Sequence, residues 1–192
     1  NDDIQGTAAV SLAGLYSALR LLPRPRLGAQ TMLFFGAGEA GIGIAVLIVA
    51  AMHDEGVADQ DARDRCWFVD SKGLVVTSRT DLAARKRQYA HPYEPQSNLA
   101  STIERIKPSV LIGVSGQPNA FTREVIGAMS TINERPVIFA LSNPTTKSEC
   151  TAEQAYRWSD GRAIFASGSP FAPVEFEGRR FQPRQSNNVY VF

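Results

Sequence analysis

Charge of one sign is the first thing this sequence lacks: 20 basic residues stand against 19 acidic ones, a formal net charge of +1. That excludes the strong field with which a nucleic-acid-binding or membrane-surface protein gathers its partner. Long apolar runs are also missing. The longest, residues 42–52, is too short to span a bilayer and reads as a buried helix. The opening residues do not follow the charged-then-apolar pattern of a secretory signal. Cysteine is scarce, with Cys66 and Cys150 far apart and no CxxC pair. One disulfide between them is conceivable, but two buried thiols in a reducing compartment is the expected reading. The cytoplasm is accordingly the expected location, with a mitochondrial one left open. Histidine is limited to His53 and His91, both expected to be surface or packing residues, and repeats and low-complexity tracts are absent.

What remains is an ordinary globular composition, 44% apolar and 20% charged over 192 residues, enough for one well-buried domain. A broad apolar surface recurs from Thr7 to about Leu22 and predicts a helix, stopped by Pro23 and Pro25. Residues 31–35 form a short apolar run that reads as a strand buried on both faces. Further strands are expected at 66–70, 109–113, 137–141 and 163–167, with helices between them. Ser101 with Glu104, and Thr151 with Gln154, have capping-box spacing and predict two helix starts. Strands separated by helices require crossover connections. The expected fold is therefore α/β, a doubly wound, mostly parallel Rossmann-like sheet with helices on both faces. The expected strand order is 66–70, 31–35, 109–113, 137–141, 163–167.

The strand at 31–35 runs straight into Gly36-Ala37-Gly38-Glu39-Ala40-Gly41 and then the apolar helix. A lone GxGxxG is a weak signal, but strand before and helix after give it meaning. Gly36 can turn tightly, Gly38 lets the backbone approach a pyrophosphate, and Gly41 lets helix and strand pack closely. The first-turn amides, Glu39 and Ala40 among them, would meet the phosphates. An acidic residue is expected where the second strand meets the adenosine ribose, and Asp70 stands there. Ser71 and Lys72 follow it, with Arg79, Arg85, Lys86 and Arg87 beyond. These cations suit a 2′-phosphate, which favours NADP over NAD; a solvated basic loop is the bland alternative.

Four segments then carry a resemblance, in one order along nearly the whole chain. They are Asn1-Asp2-Asp3-Ile4-Gln5-Gly6-Thr7, residues 36–43, Leu141-Ser142-Asn143-Pro144-Thr145, and Ser186-Asn187-Asn188-Val189-Tyr190-Val191-Phe192. Together they resemble malic enzymes, which convert L-malate to pyruvate and CO2 while reducing NAD(P) with Mg2+ or Mn2+. The resemblance implies that Asp3 is a metal ligand and that Asp2 orients a catalytic lysine. Hard divalent cations do prefer such oxygens, although two aspartates could equally serve the start of the first helix. It further implies that Asn143 lies beside nicotinamide and substrate, that Asn188 with Asn187 binds a substrate carboxylate, and that Val114, Ser115 and Gly116 pass near the nicotinamide. Ser71, Lys72 and Lys86 match positions that discriminate NADP. As residues alone, Asn143 before proline could be a turn and the paired asparagines a helix cap. A malolactic enzyme with bound NAD, and a non-catalytic NAD(P)-binding module, are the rival readings.

The family takes its catalytic lysine, its general-acid tyrosine, a substrate arginine and two further acidic metal ligands from sequence ahead of the Asn-Asp-Asp motif. The chain opens at that motif and ends in an apolar run. It is therefore expected to be a single NAD(P)-binding domain, 1–192, from a longer chain that works as a homo-oligomer. The 192-residue chain alone should show no malate decarboxylation. Coupled NADPH production at saturating Mn2+ checks this, and turnover near that of an intact homologue would overturn it.

Overall fold

The computed structural model describes residues 2–186, and of residues 2–5 the chain path alone. Helix α1 (Asp2–Leu19) leads into a short 3-10 turn (Leu27–Ala29) and strand β1 (Met32–Phe35). Helix α2 (Glu39–Asp54), helix α3 (Asp59–Asp64) and strand β2 (Cys66–Asp70) complete the first crossover. After the two-residue strand β3 (Gly73–Leu74) come the short helix α4 (Ala84–Arg87) and helix α5 (Leu99–Ile106). Strand β4 (Val110–Gly113), helix α6 (Arg123–Ile132) and strand β5 (Val137–Ala140) follow. Helix α7 (Ala152–Trp158), strand β6 (Ile164–Ser167), a hairpin β7 (Val174–Phe176) and β8 (Arg179–Phe181), and strand β9 (Arg184–Gln185) close the described chain.

Seven strands form one sheet in the order β3-β2-β1-β4-β5-β6-β9. Every pairing in it is parallel except β2 with β3. The central strands alternate residue by residue between two cores, as the period of a pleated strand requires. Met32, Phe34, Val110, Ile112, Val137 and Phe139 face α1, α2 and α3. Leu33, Leu111, Ile138 and Phe165 face α5, α6 and α7. Phe34 stacks on Phe68 across β1 and β2 with centroids 4.6 Å apart. Apolar side chains on both faces explain why these strands read as continuous runs rather than as alternation. The expected fold class and strand order are observed.

Several boundaries move. Helix α1 begins at Asp2, not Thr7, so Asp2 and Asp3 lie within its first turn. Helix α2 begins at Glu39, directly on the glycine turn. The box expected at Ser101 and Glu104 is not the start of α5. Asn98 caps that helix, its side chain accepting from the Ser101 amide at 2.9 Å, while Ser101 lies inside the first turn. Thr151 and Gln154 do form a capping box on α7. Strands β3, β7, β8 and β9 were not expected, being two or three residues long. Cys66 and Cys150 are buried free thiols, and burial pushes Cys66 up to about 12. His91 stacks flat on Trp67 at 3.5 Å and its Nε2 lies 3.1 Å from the Cys66 carbonyl, a packing role.

Among the described residues, no helix is long and apolar enough to cross a membrane. The cap assignment has a simple check in urea unfolding. Asn98→Ala should cost about 1 kcal/mol, the usual worth of an N-cap, whereas Glu104→Ala, exposed and outside any box, should stay within roughly 0.5 kcal/mol.

Candidate functional site

The strand order reverses direction between β1 and β4, and open α/β sheets form a crevice at that point. The loops leaving β1, β2 and β4 here enclose a cleft of about 450 Å³. Its walls include Gly36, Gly38, Glu39, Asp70, Ser71, Lys86, Val114 and Ser115. Eight residues singled out along the sequence thus meet in one cavity, although they come from segments up to 79 positions apart (Gly36 to Ser115).

The glycines are needed for different reasons. Gly36 has φ +117, and a Cβ there would lie 2.6 Å from the Val114 carbonyl oxygen. A Cβ on Gly41 would lie 2.4 Å from the Gly36 carbonyl oxygen, so only glycine lets α2 start this close to β1. Gly38 is different: a Cβ there would meet nothing within 4 Å. The bare side of Gly38 is the open side of the turn, where a ligand's phosphates would approach. Gly38 also serves as N-cap of α2 without any side-chain hydrogen bond, so the first-turn amides have no intrahelical acceptor and carry the positive end of the helix dipole. At this end Glu39 pairs with Arg85 at 2.6 Å, an exposed contact between the turn and α4.

Asp70 is not a free carboxylate. Arg79 grips both of its oxygens, at 2.9 and 3.1 Å, and the Lys86 ammonium lies 3.0 Å from one of them. The Lys72 amide donates to it as well, at 2.9 Å. Burial works against the charged form, but the hydrogen bonds from Arg79, the Lys72 amide and Lys86 outweigh it and hold Asp70 below the usual carboxylate range. Arg79 continues to Asp81 at 3.0 Å, and Asp81 takes the Lys72 ammonium at 2.9 Å. Lys86 is therefore brought to the cleft, whereas the Lys72 ammonium is held outside it. Arg79 was only one cation of a basic run in the sequence. Its role depends on a turn that folds it back onto β2, for which a run of charges gives no signal.

The remaining candidates stand apart. Gly116 is exposed with φ +67, and its amide donates to the Ser142 hydroxyl at 2.8 Å. Asn143 is exposed beyond the carboxyl end of β5, ahead of a cis bond to Pro144. Ala40 lies in the first turn of α2. Asp2 and Asp3 lie on α1, with their side chains outside the description, and Asn187 and Asn188 fall outside the described residues altogether. Among the described residues no group of three or more His, Cys, Asp or Glu could hold a metal ion.

Removing the carboxylate tests the ion-pair cluster. Asp70→Asn should destabilise the protein by about 1.5–3 kcal/mol at pH 7, the range for a hydrogen bond to a charged group. Because the folded pKa is lowered, the carboxylate's contribution is complete above the unfolded value of roughly 4 and is lost as pH falls through the folded value. Urea unfolding at neutral and acid pH should thus show the two proteins converging as the solution is acidified.

The sequence model for "Malic enzyme, NAD binding domain" matches residues 4–192. NADP-dependent malic enzyme 1 of Arabidopsis thaliana is 60% identical over 194 residues, covering all of this chain and 33% of that protein. The NADP-dependent malic enzyme of Mus musculus is 54% identical, covering all of this chain and 34% of its own length. Among solved structures, a malic enzyme from Entamoeba histolytica superposes with a TM-score of 0.73 at 28% identity, over 97% of this chain and 34% of that one. A putative malic enzyme (malate oxidoreductase) gives 0.71 at 29% identity, over 100% and 44%. The chain thus spans about a third of the length of the curated relatives it matches.

Proposed function

The chain belongs to the malic enzyme family, in the region of its NAD-binding domain, and from that premise we propose that residues 1–192 are the NADP-holding domain of an enzyme that oxidatively decarboxylates L-malate to pyruvate and CO2. The observation that carries the choice of NADP is the cover on Asp70. A bare carboxylate at the end of β2 accepts a ribose hydroxyl and repels a 2′-phosphate. Here Arg79 and Lys86 both sit on it, so the local charge is not that of an open acid. The names of the relatives, NADP-dependent in Arabidopsis thaliana and in Mus musculus, support the same choice.

The residues present fit a dinucleotide. Gly38 leaves its side of the turn open, the first-turn amides of α2 point out of the helix end, and the cleft continues from there to Ser71 and Lys86. In this reading residues 36–41, with Glu39 and Ala40 in the first helical turn, receive the pyrophosphate. Ser71 and Lys86 meet the 2′-phosphate, and Lys72 contributes its amide by ordering Asp70. Val114, Ser115, Gly116 and Asn143 border the nicotinamide end. The bound dinucleotide supplies the hydride acceptor for C2 of malate.

Asn143, Asn187 and Asn188 would orient malate through its carboxylates, a task for neutral amide donors. Asp3 would give one carboxylate to Mg2+ or Mn2+, and the ion would supply Lewis acidity for the decarboxylation. Asp2 would orient a lysine supplied from elsewhere in the enzyme. Homo-oligomerisation and a cytoplasmic place belong to the same proposal, and sedimentation and cell fractionation test them.

Calorimetric titration with NADP+ and NAD+ tests the central point. NADP+ should bind more tightly, and Lys86→Ala should weaken it by about tenfold while changing NAD+ far less, as expected for one charge-assisted hydrogen bond. A preference for NAD+ would overturn the NADP assignment. A folded protein that binds neither would overturn the dinucleotide site.

A further inference from the structure

Glu149 is the only acidic side chain among the described residues in the buried class, with no exposed surface at all. It lies after β5, just before α7, where its segment is tied to the loop after β4: the Phe121 amide donates to its carbonyl at 2.9 Å and the Asn119 amide to that of Ser148 at 3.1 Å. From that fixed backbone the carboxyl group reaches back beneath two loops at once. Oε1 accepts from the Ser115 amide at 3.0 Å and the Ser115 hydroxyl at 3.1 Å, in the loop after β4. The same oxygen accepts from the Ser142 hydroxyl, and Oε2 from the Ser142 amide at 3.4 Å, in the loop after β5. The end of β4 is left bare to admit it, since a Cβ on Gly113 would lie 2.6 Å from the Glu149 carboxyl carbon.

The two hydroxyls show which way the network runs. Ser142 Oγ accepts from the Gly116 amide at 2.8 Å, and Ser115 Oγ accepts from the Gln117 amide at 3.1 Å. A hydroxyl owns one proton, and with an amide already donating to each oxygen, both protons turn toward Glu149. The Glu149 carboxyl oxygens thus accept from both loops. A neutral amide in its place would present an NH2 group to one set of donors. Such a buried polar cluster acts as a unit, because leaving any member unpaired is costly at low dielectric.

We propose that Glu149 is a positioning residue for the nicotinamide half of the cofactor site. It holds the loop of Val114 and Ser115, which wall the cleft, with Gly116 beside them, in fixed relation to Ser142 and Asn143. It touches neither Asp70 nor Lys86, so the adenosine end is independent of it. The inference rests on the cofactor reading above.

Two ligands separate this role from simple folding support: NADP+, and adenosine 2′,5′-bisphosphate, which keeps the 2′-phosphate and lacks nicotinamide. The wild-type protein should bind both, NADP+ the more tightly. Glu149→Gln should weaken NADP+ by about tenfold or more, the worth of a misplaced hydrogen-bonding set. It should leave the bisphosphate within about twofold, an affinity change too small to reflect a lost contact. Ser142→Ala removes one hydroxyl link and should shift the ratio the same way by a smaller factor; it decides the matter if the Gln variant does not fold. A ratio equal to wild type, whether both affinities fall together or neither changes, overturns the proposal. Equal wild-type affinities for the two ligands overturn it too. A folded wild-type protein that binds neither ligand overturns the cofactor reading itself, and this inference falls with it.

Discussion

Everything at the cleft depends on how closely α2 approaches the end of β1. The helix begins with its backbone against the Gly36 carbonyl, at a distance that excludes a Cβ on Gly41, while Gly36 itself turns at positive φ against Val114. A larger residue at either position would push the helix away from the sheet and carry its first-turn amides with it. The α2 dipole then points at the space between the β1 and β4 loops because sterics leave it no other seat. The apolar body of α2, with Ile44, Ala45, Ile48 and Met52 buried against the sheet, keeps the helix there. The same side chains that stabilise the fold thereby set the direction of the site.

A second layer of control is electrostatic. Asp70, Arg79, Lys86, Asp81 and Lys72 form one chain of ion pairs running from the floor of the cleft to its outer rim. The Asp70 and Arg79 side chains are 10% and 13% exposed, so their mutual contact is screened far less than the outer pairs. Lys72 and Arg85 at the rim are mostly exposed, and their pairs contribute little to stability. In the proposed reading, cover on Asp70 and openness at Gly38 are complementary: one would let the adenosine end tolerate negative charge, and the other would leave the phosphates room.

Much of the fold was legible because the physics behind it is local. The runs Met32–Phe35, Val110–Gly113 and Val137–Ala140 are apolar on both faces and too short for a helix, which is the pattern of a strand covered from both sides. Thr151 and Gln154 satisfy each other's amides within four residues, so spacing alone located that helix start. Where the reading failed, two local options competed. Ser101 and Glu104 had suitable spacing, but Asn98 lies one turn earlier and reached the free amide first. The extra strands β3 and β9 are two residues long and exist only because a neighbouring strand offers them a ladder.

For this protein the sequence by itself determined the α/β class, the order of the central strands, the glycine turn and the family. Each is written in residues adjacent along the chain or in motifs matched whole. Tertiary structure alone decided that Lys86 rather than Lys72 brings its ammonium to Asp70, that Arg79 neutralises that acid, and that Glu149 ties two loops together. Those outcomes depend on side chains 7 to 34 positions apart (Ser142 to Glu149, Ser115 to Glu149) meeting across a sheet edge. Ion pairs and buried hydrogen bonds act over a few ångströms of space, and distance in space between residues in separate loops is set only once the sheet has formed.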